Sequence, residues 1–164
     1  MRRRRPDSLV SFKETASVAK AFNRDSKRTL IMNIKKILFS VPVPSTDFTT
    51  EAYLDGSGIE PAIRFGYEND GEQYLTGICF SQVSAFRKRG ERCCSAWHIE
   101  GAYDTLVEIE DSSWVAELQK DVPEQYRENW KPHHFMIYLD SVGCFEFLAQ
   151  SWAALPNEVI PSPA

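Results

Sequence analysis

The sequence predicts an α+β domain built on a curved, mostly antiparallel sheet of about six to seven strands, with one main helix at about 112–121. Three observations support this prediction. The segment 133–152, HHFMIYLDSVGCFEFLAQSW, is apolar at both alternating positions and contains one turn, which is typical of a hairpin buried on both faces. Other short runs rich in β-branched and aromatic residues are separated by turn residues. The segment 112–121 begins with N-cap residues and continues at helical spacing.

The turn of the central hairpin falls at residues 140–143, Asp-Ser-Val-Gly. Asp140 suits the first position of a type I turn, and Gly143 suits the fourth, where φ is positive. We expect this turn to pair Leu139 with Cys144. His133 then lies several residues of strand away from Cys144, which is too far for a hydrogen-bonded thiol and imidazole pair.

Further apolar runs predict the other strands of the sheet. They cover residues 37–43, 62–67, 73–80, 83–88, 94–99 and 103–109. Asp70 and Gly71 predict a tight hairpin turn between two of these runs. Residues 55–58, Asp-Gly-Ser-Gly, predict a loop.

The run 103–109 fits both the strand and the helix period. As a strand, alternate side chains face inward and Leu106 is the misfit, whereas as a helix the acidic residues share one face. The β-branched content favours the strand. The acidic side chains are exposed in both interpretations.

The clearest helix follows residues 111–113, Asp-Ser-Ser, which are three N-cap candidates in a row. Trp114 and Leu118 lie four residues apart and therefore pack on the same side of this helix. Pro123 ends the helix or starts a second turn.

The charge of the chain is divided unevenly. Residues 1–31 carry nine bases and three acids, a formal charge of +6, whereas the remaining residues carry ten bases and twenty acids, a charge of −10. We therefore distinguish a basic leader (1–31), a single α+β domain (32–156) and a Pro-rich tail (157–164). The leader either forms a short amphipathic helix over 11–22, which starts with a capping-box pattern, or lies outside the fold.

No apolar stretch of the sequence suits a signal peptide or a membrane span, so we expect a cytoplasmic protein with four reduced cysteines. The sequence also lacks a phosphate-binding loop, a nucleophile elbow and a zinc-protease motif. These patterns favour a protein that is not an enzyme, and no cofactor is predicted.

Cysteine and histidine offer one alternative, a metal or thiol enzyme. Its candidate residues are Cys94, His98, His133, His134 and Cys144. The spacing of these residues contains no C-x-x-C or H-x-x-x-H element, so it gives weak support for a metal site. Structural cysteines are the favoured interpretation.

Glu146 falls inside the buried hairpin. An unpaired carboxylate in such surroundings has a raised pKa and suits acid–base chemistry. The favoured interpretation is an ion pair with Arg64, Arg87 or Lys88, or a position at the rim of the sheet. The basic run 87–92 is too short, within an acidic body, to predict a nucleic-acid partner.

The region 100–128 combines many acids with interspersed aromatic residues. The predicted partner-binding residues are Glu100, Tyr103, Asp104, Glu108, Glu110, Asp111, Trp114, Glu117, Asp121 and Tyr126. Such a surface attracts a basic partner, and Trp and Tyr are common anchors at interfaces. A solvated face that only keeps the protein soluble is the alternative explanation.

In class, a small, acidic, aromatic-rich α+β protein is similar to the bacterial immunity and inhibitor proteins that cap a basic toxin. The sequence therefore favours a non-enzymatic acidic binding protein with a basic protein partner. The second hypothesis is a small-molecule-binding β cup or barrel. Its predicted lining residues are Trp97, Phe135, Tyr138, Phe145 and Trp152.

Overall fold

A computed structural model of the protein describes residues 34–56 and 60–161. These residues form ten strands, three short α-helices and two single-turn 3-10 helices. The strands are β1 (Lys35–Ser40), β2 (Phe48–Asp55), β3 (Ala62–Asn69), β4 (Glu72–Ser81), β5 (Ala85–Arg89), β6 (Thr105–Ile109), β7 (His133–Leu139), β8 (Gly143–Ala149), β9 (Ser151–Ala154) and β10 (Glu158–Ile160). The helices are α1 (Ala96–Ile99), α2 (Ser113–Leu118) and α3 (Glu124–Arg127).

The strands form two antiparallel sheets. Sheet A has the order β1-β6-β7-β8-β5, and sheet B has the order β10-β4-β3-β2, with β9 also pairing with β4. The prediction of a mostly antiparallel sheet protein with few helices is confirmed. The predicted single sheet of six to seven strands was wrong, because the ten strands form two sheets, and the helices are minor.

The β7–β8 hairpin lies inside sheet A, and its side chains are buried on both faces from His134 onward. One face packs against sheet B, where Phe80 stacks on Phe147 with 4.0 Å between ring centroids. The other face forms a second apolar cluster that includes Met136 and Cys144, against which Ile99 of α1 packs. Burial on both sides explains why most side chains on both faces of the hairpin are apolar, and it confirms the prediction of a buried hairpin.

The turn of this hairpin differs from the predicted type I geometry. Gly143 does have a positive φ of 102°, and a Cβ there would lie 2.0 Å from the carbonyl oxygen of Arg89, so only glycine fits. Ser141 also has a positive φ, which a type I turn does not allow at that position. As a result Leu139 pairs with Gly143, and the predicted register was wrong by one residue.

Three strands were not predicted because their burial patterns are irregular or exposed. These are β2, β9 and β10, and β10 lies within the predicted Pro-rich tail. The predicted strand at 94–99 is instead the short helix α1, which Ser95 and His98 cap reciprocally. The main helix is also shorter than predicted, since α2 ends at Leu118.

Most of the ambiguous run 103–109 forms a strand, β6, which covers Thr105–Ile109. Leu106 and Val107 are both fully buried, because β6 lies between β1 and β7 with an apolar cluster on each face. Leu106 is therefore no misfit. The basic leader 1–31 and its predicted helix at 11–22 lie outside the described residues.

The described α-helices contain four to six residues, whereas a helix that crosses a bilayer takes about 20 residues. None of them has the length and the hydropathy of a membrane span.

We predict that Phe147→Asp abolishes cooperative folding. The substitution places an unpaired carboxylate in the core between the sheets, at a cost that approaches the whole stability of a domain, about 5–15 kcal/mol. Phe86→Asp is the matched control, because Phe86 stacks on Phe147 but is 47% exposed. Thermal unfolding followed by circular dichroism checks this prediction, and a cooperative transition for Phe147→Asp would contradict the assigned burial.

Candidate functional site

A buried carboxylate, Glu146 of β8, organises the outer face of sheet A, the face opposite sheet B. Its side chain is 0% exposed. Arg87 of β5 donates to both of its oxygens, from Nε and from a terminal nitrogen, each at 2.7 Å. Arg89 approaches at 3.4 Å, and Nε2 of His134 lies 3.1 Å from Oε2. These bonds offset the large cost of burying the charge.

The pairing decides the protonation state of Glu146. Burial by itself raises the pKa of this carboxyl, but hydrogen bonds from His134 and Arg87 together with the charge of Arg87 outweigh burial and lower the pKa to about 2. The carboxylate is therefore ionised at neutral pH. The interpretation as an ion pair with Arg87 is confirmed, and the raised pKa considered for an unpaired Glu146 is excluded. Arg64 instead pairs with Asp55 and Glu158 of sheet B.

The network continues from Glu146 to α2. Because ionised Glu146 can only accept, Nε2 of His134 donates to it, and Nδ1 of His134 forms a hydrogen bond of 2.7 Å with the Ser112 hydroxyl. Ser112 is the N-cap of α2, and its Oγ accepts the backbone N–H of Val115 at 3.3 Å. A chain of hydrogen bonds thus joins the first turn of α2 to the interior of sheet A.

Trp114 adds an aromatic contact to this network. The guanidinium carbon of Arg87 lies 4.1 Å from the centroid of the indole ring, in a cation–π contact. The same indole meets His134 edge to face at 5.2 Å. Trp114 therefore covers the ion pair and holds α2 against the sheet.

Ser112, His134 and Glu146 form a hydrogen-bonded chain of the residue types used by activated-serine hydrolases, but Ser112 bonds Nδ1 and Glu146 bonds Nε2 of the imidazole, the reverse of the hydrolase arrangement. Two features assign them a structural role here. Arg87 and Arg89 already compensate the charge of Glu146, and Ser112 is 8% exposed with its hydroxyl occupied as a helix cap. The chain of hydrogen bonds therefore positions α2 and the surface beside it.

That surface contains a cavity of about 410 Å³ between the end of β6, α2 and the start of β7. Its lining residues are Glu108, Ile109, Glu110, Asp111, Ser112, Val115, Ala116, Gln119, Pro132, His133 and His134. We call this space the acidic cavity, because three carboxylates line it. Its volume lies within the range of small-ligand pockets, about 300–1,000 Å³.

The three carboxylates of the acidic cavity differ in their partners. Glu108 contacts Nδ1 of His133 at 2.5 Å and lies 3.9 Å from Nζ of Lys36. Glu110 and Asp111 are exposed, and within residues 34–56 and 60–161 they form no ion pair. Among the described residues, the rim of the cavity therefore carries two carboxylates without a counter-charge.

The structure separates the other predicted partner-binding residues from this cavity. Glu100, Tyr103 and Asp104 lie near the opposite end of sheet A, where Asp104 accepts from the backbone N–H of Ser45 and Tyr103 donates to Asp140. Trp114 faces the ion pair, Glu117 and Asp121 are exposed on or just after α2, and Tyr126 is exposed on α3. Only Glu108, Glu110 and Asp111 come together in one cavity.

Sequence reasoning did not assign Ser112 and His134 to this cavity. The N-cap position of Ser112 and the paired histidines were visible in the sequence. Their convergence depends on sheet pairing and on the packing of α2, which no local pattern specifies.

The residues predicted to line a small-molecule cup lie on different faces. Phe135 and Phe145 belong to the core between the two sheets, and Trp152 packs against that core. Tyr138 lies on the outer face of sheet A, and Trp97 is exposed near Lys35.

The cysteine and histidine candidates also do not combine into a metal site or a reactive thiol site among the described residues. In the part of the chain that the structure describes, no group of three or more His, Cys, Asp or Glu side chains is placed to hold a metal ion. Burial raises the pKa of the Cys144 thiol to about 12 and also raises that of Cys94, so neither is a ready thiolate. His98 caps α1, and burial lowers its pKa.

Comparison of the chain with protein-family models, with curated proteins and with solved structures finds no match. Function therefore has to follow from the chemistry of the acidic cavity and of the network behind it.

We predict that Glu146→Gln destabilises the protein by about 3–5 kcal/mol at neutral pH, because two arginines lose their buried counter-charge. The destabilisation falls as the pH is lowered. Glu146 has a depressed pKa in the folded state, so its contribution is complete above the ordinary carboxyl pKa and is lost as the pH falls toward about 2.

Urea unfolding of the wild type and Glu146→Gln at several pH values measures this difference. Glu158→Gln is the control, since it breaks an exposed pair with Arg64 that is worth about 0–1 kcal/mol. A difference between wild type and Glu146→Gln that stays constant down to acidic pH would contradict the assigned pKa.

Proposed function

We propose that the protein is an acidic binding protein of immunity or inhibitor type, acting in the cytoplasm, which takes a basic segment of a partner protein into the acidic cavity. The observation that carries the proposal is the convergence of Glu108, Glu110 and Asp111 on one cavity of about 410 Å³. Opposite charges at such a site attract and orient a basic partner.

The walls of the cavity suit a long basic side chain. Ile109, Val115 and Pro132 offer apolar surface to the aliphatic stem of arginine or lysine, and the carboxylates at the rim meet the charged head. A guanidinium group also makes paired hydrogen bonds with a carboxylate, which favours arginine over lysine.

The charge of the whole body supports the same partner. Residues from Met32 onward carry ten bases and twenty acids. The resulting negative field speeds association with a basic protein and repels nucleic acid. The ion pairs of Arg87 and Arg89 with Glu146 further reduce the number of free positive groups on the outer face of sheet A.

The test uses an arginine-rich peptide and a citrulline-substituted peptide of the same length. We expect the arginine peptide to bind at least about tenfold more tightly, with affinity that falls as salt is added. Nuclear magnetic resonance should show the largest amide shifts at Val115, Ala116 and His133, which line the cavity.

Two double variants with the same change in net charge distinguish binding in the acidic cavity from attraction by the overall negative charge of the protein. Glu110→Gln with Asp111→Asn removes the free rim carboxylates, whereas Glu68→Gln with Glu72→Gln removes two exposed charges from sheet B. The proposal requires that only the first pair abolishes peptide binding. Equal losses in both pairs, or equal binding of the citrulline peptide, would refute it.

A further inference from the structure

A second cavity of the protein is uncharged. It has a volume of about 380 Å³ and lies where the β4–β5 connection, α3 and the β8–β9 junction meet. Its polar lining consists of Gln82, Ser84, Asn129 and Gln150, and its aromatic lining of Tyr126 and Trp130. None of its lining residues in the described chain is Asp, Glu, Lys, Arg or His. We call it the amide cavity.

Hydrogen bonds hold the walls of the amide cavity in place. Nε1 of Trp130 donates to the hydroxyl of Ser84 at 3.1 Å, which joins α3 to the β4–β5 connection. The backbone N–H of Ser84 donates to Leu148 at 2.7 Å, and that of Gln150 donates to Ser81 at 3.0 Å. The cavity is therefore built before any ligand arrives, which reduces the entropic cost of binding.

The side-chain amides of this cavity are unused. Gln82, Asn129 and Gln150 make no side-chain hydrogen bond within residues 34–56 and 60–161. Each carboxamide places a donor and an acceptor side by side. Gln82 is also held at a φ of 51°, which is uncommon for a residue with a side chain.

We propose that the amide cavity binds a neutral carbohydrate of one or two rings. Neighbouring sugar hydroxyls are each donor and acceptor, and so match the paired donor and acceptor of the three carboxamides. The apolar C–H face of a sugar ring packs on aromatic rings, for which Tyr126 and Trp130 are placed.

The absence of charge from the lining selects a neutral ligand. The body around it carries a charge of −10, yet the cavity offers no counter-charge to an anion or a cation. Proline-rich peptides are the rival neutral ligand, but they dock in grooves lined mainly by aromatic rings, whereas here three carboxamides accompany two rings.

The experiment titrates the purified full chain with methyl glycosides of glucose, galactose, mannose and N-acetylglucosamine, followed by saturation-transfer nuclear magnetic resonance. We expect at least one glycoside to bind in the millimolar range. Gln150→Ala and Asn129→Ala should each weaken that binding at least about fivefold, because each removes from the cavity a side chain that hydrogen-bonds the ligand.

Gln125→Ala is the matched control, since Gln125 is an exposed amide of α3 outside the lining of the cavity. It should bind the glycoside as the wild type does. The inference is overturned if no glycoside binds, if Gln150→Ala and Gln125→Ala bind equally, or if a proline-rich peptide binds in place of sugar. None of these outcomes depends on the acidic cavity, so the two proposals succeed or fail separately.

Discussion

The structure depends most on one constraint, the ionised carboxylate of Glu146 inside an otherwise apolar sheet. Burying an unpaired charge costs several kcal/mol, so the fold is stable only when hydrogen-bond donors reach both carboxylate oxygens of Glu146. Arg87 and Arg89 come from the edge strand β5, and His134 comes from β7. The same ion pair therefore specifies which strand lies beside β8 and which side chains face outward.

The acidic cavity follows from this constraint. His134 is fixed by Glu146 and in turn fixes Ser112, so α2 must begin directly over the start of β7. Only three residues then separate the end of β6 from α2, and Asp111 adopts a φ of 53° to complete the reversal. Asp tolerates this left-handed conformation better than most residues. Glu110 and Asp111 are consequently held outward at the rim of the cavity.

The sequence predicts the parts of the fold that have local signals. The apolar pattern of 133–152 predicts the central hairpin, Asp70 and Gly71 predict the turn between β3 and β4, and Ser112 predicts the start of α2. The strands β2, β9 and β10 escape prediction because they are largely exposed and carry no regular alternation. The one-residue error in register arises from Ser141, whose positive φ has no sequence signal.

The candidate site was likewise predictable from the sequence only where a local pattern marks it. The acids at 108–111 are visible in the sequence as part of a larger acidic region, but the structure distributes that region over both ends of sheet A. Glu146 is visible as a carboxylate in a buried hairpin, but the direction of its pKa depends on His134 and Arg87 arriving from other strands. Contacts between segments distant in sequence, and not residue type, decide where the acids lie and in which direction the pKa of Glu146 shifts.

The central claim is that hydrogen bonds from Glu146 through His134 hold α2 in position on the sheet. Amide hydrogen exchange in His134→Phe tests it most directly, because the variant keeps both arginine pairs of Glu146 and fills the buried space. The account predicts faster exchange at Val115, Ala116 and Gln119, with β7 and β8 protected as in the wild type. Unchanged protection of α2, or an equal loss of protection in α2 and the hairpin, would contradict it.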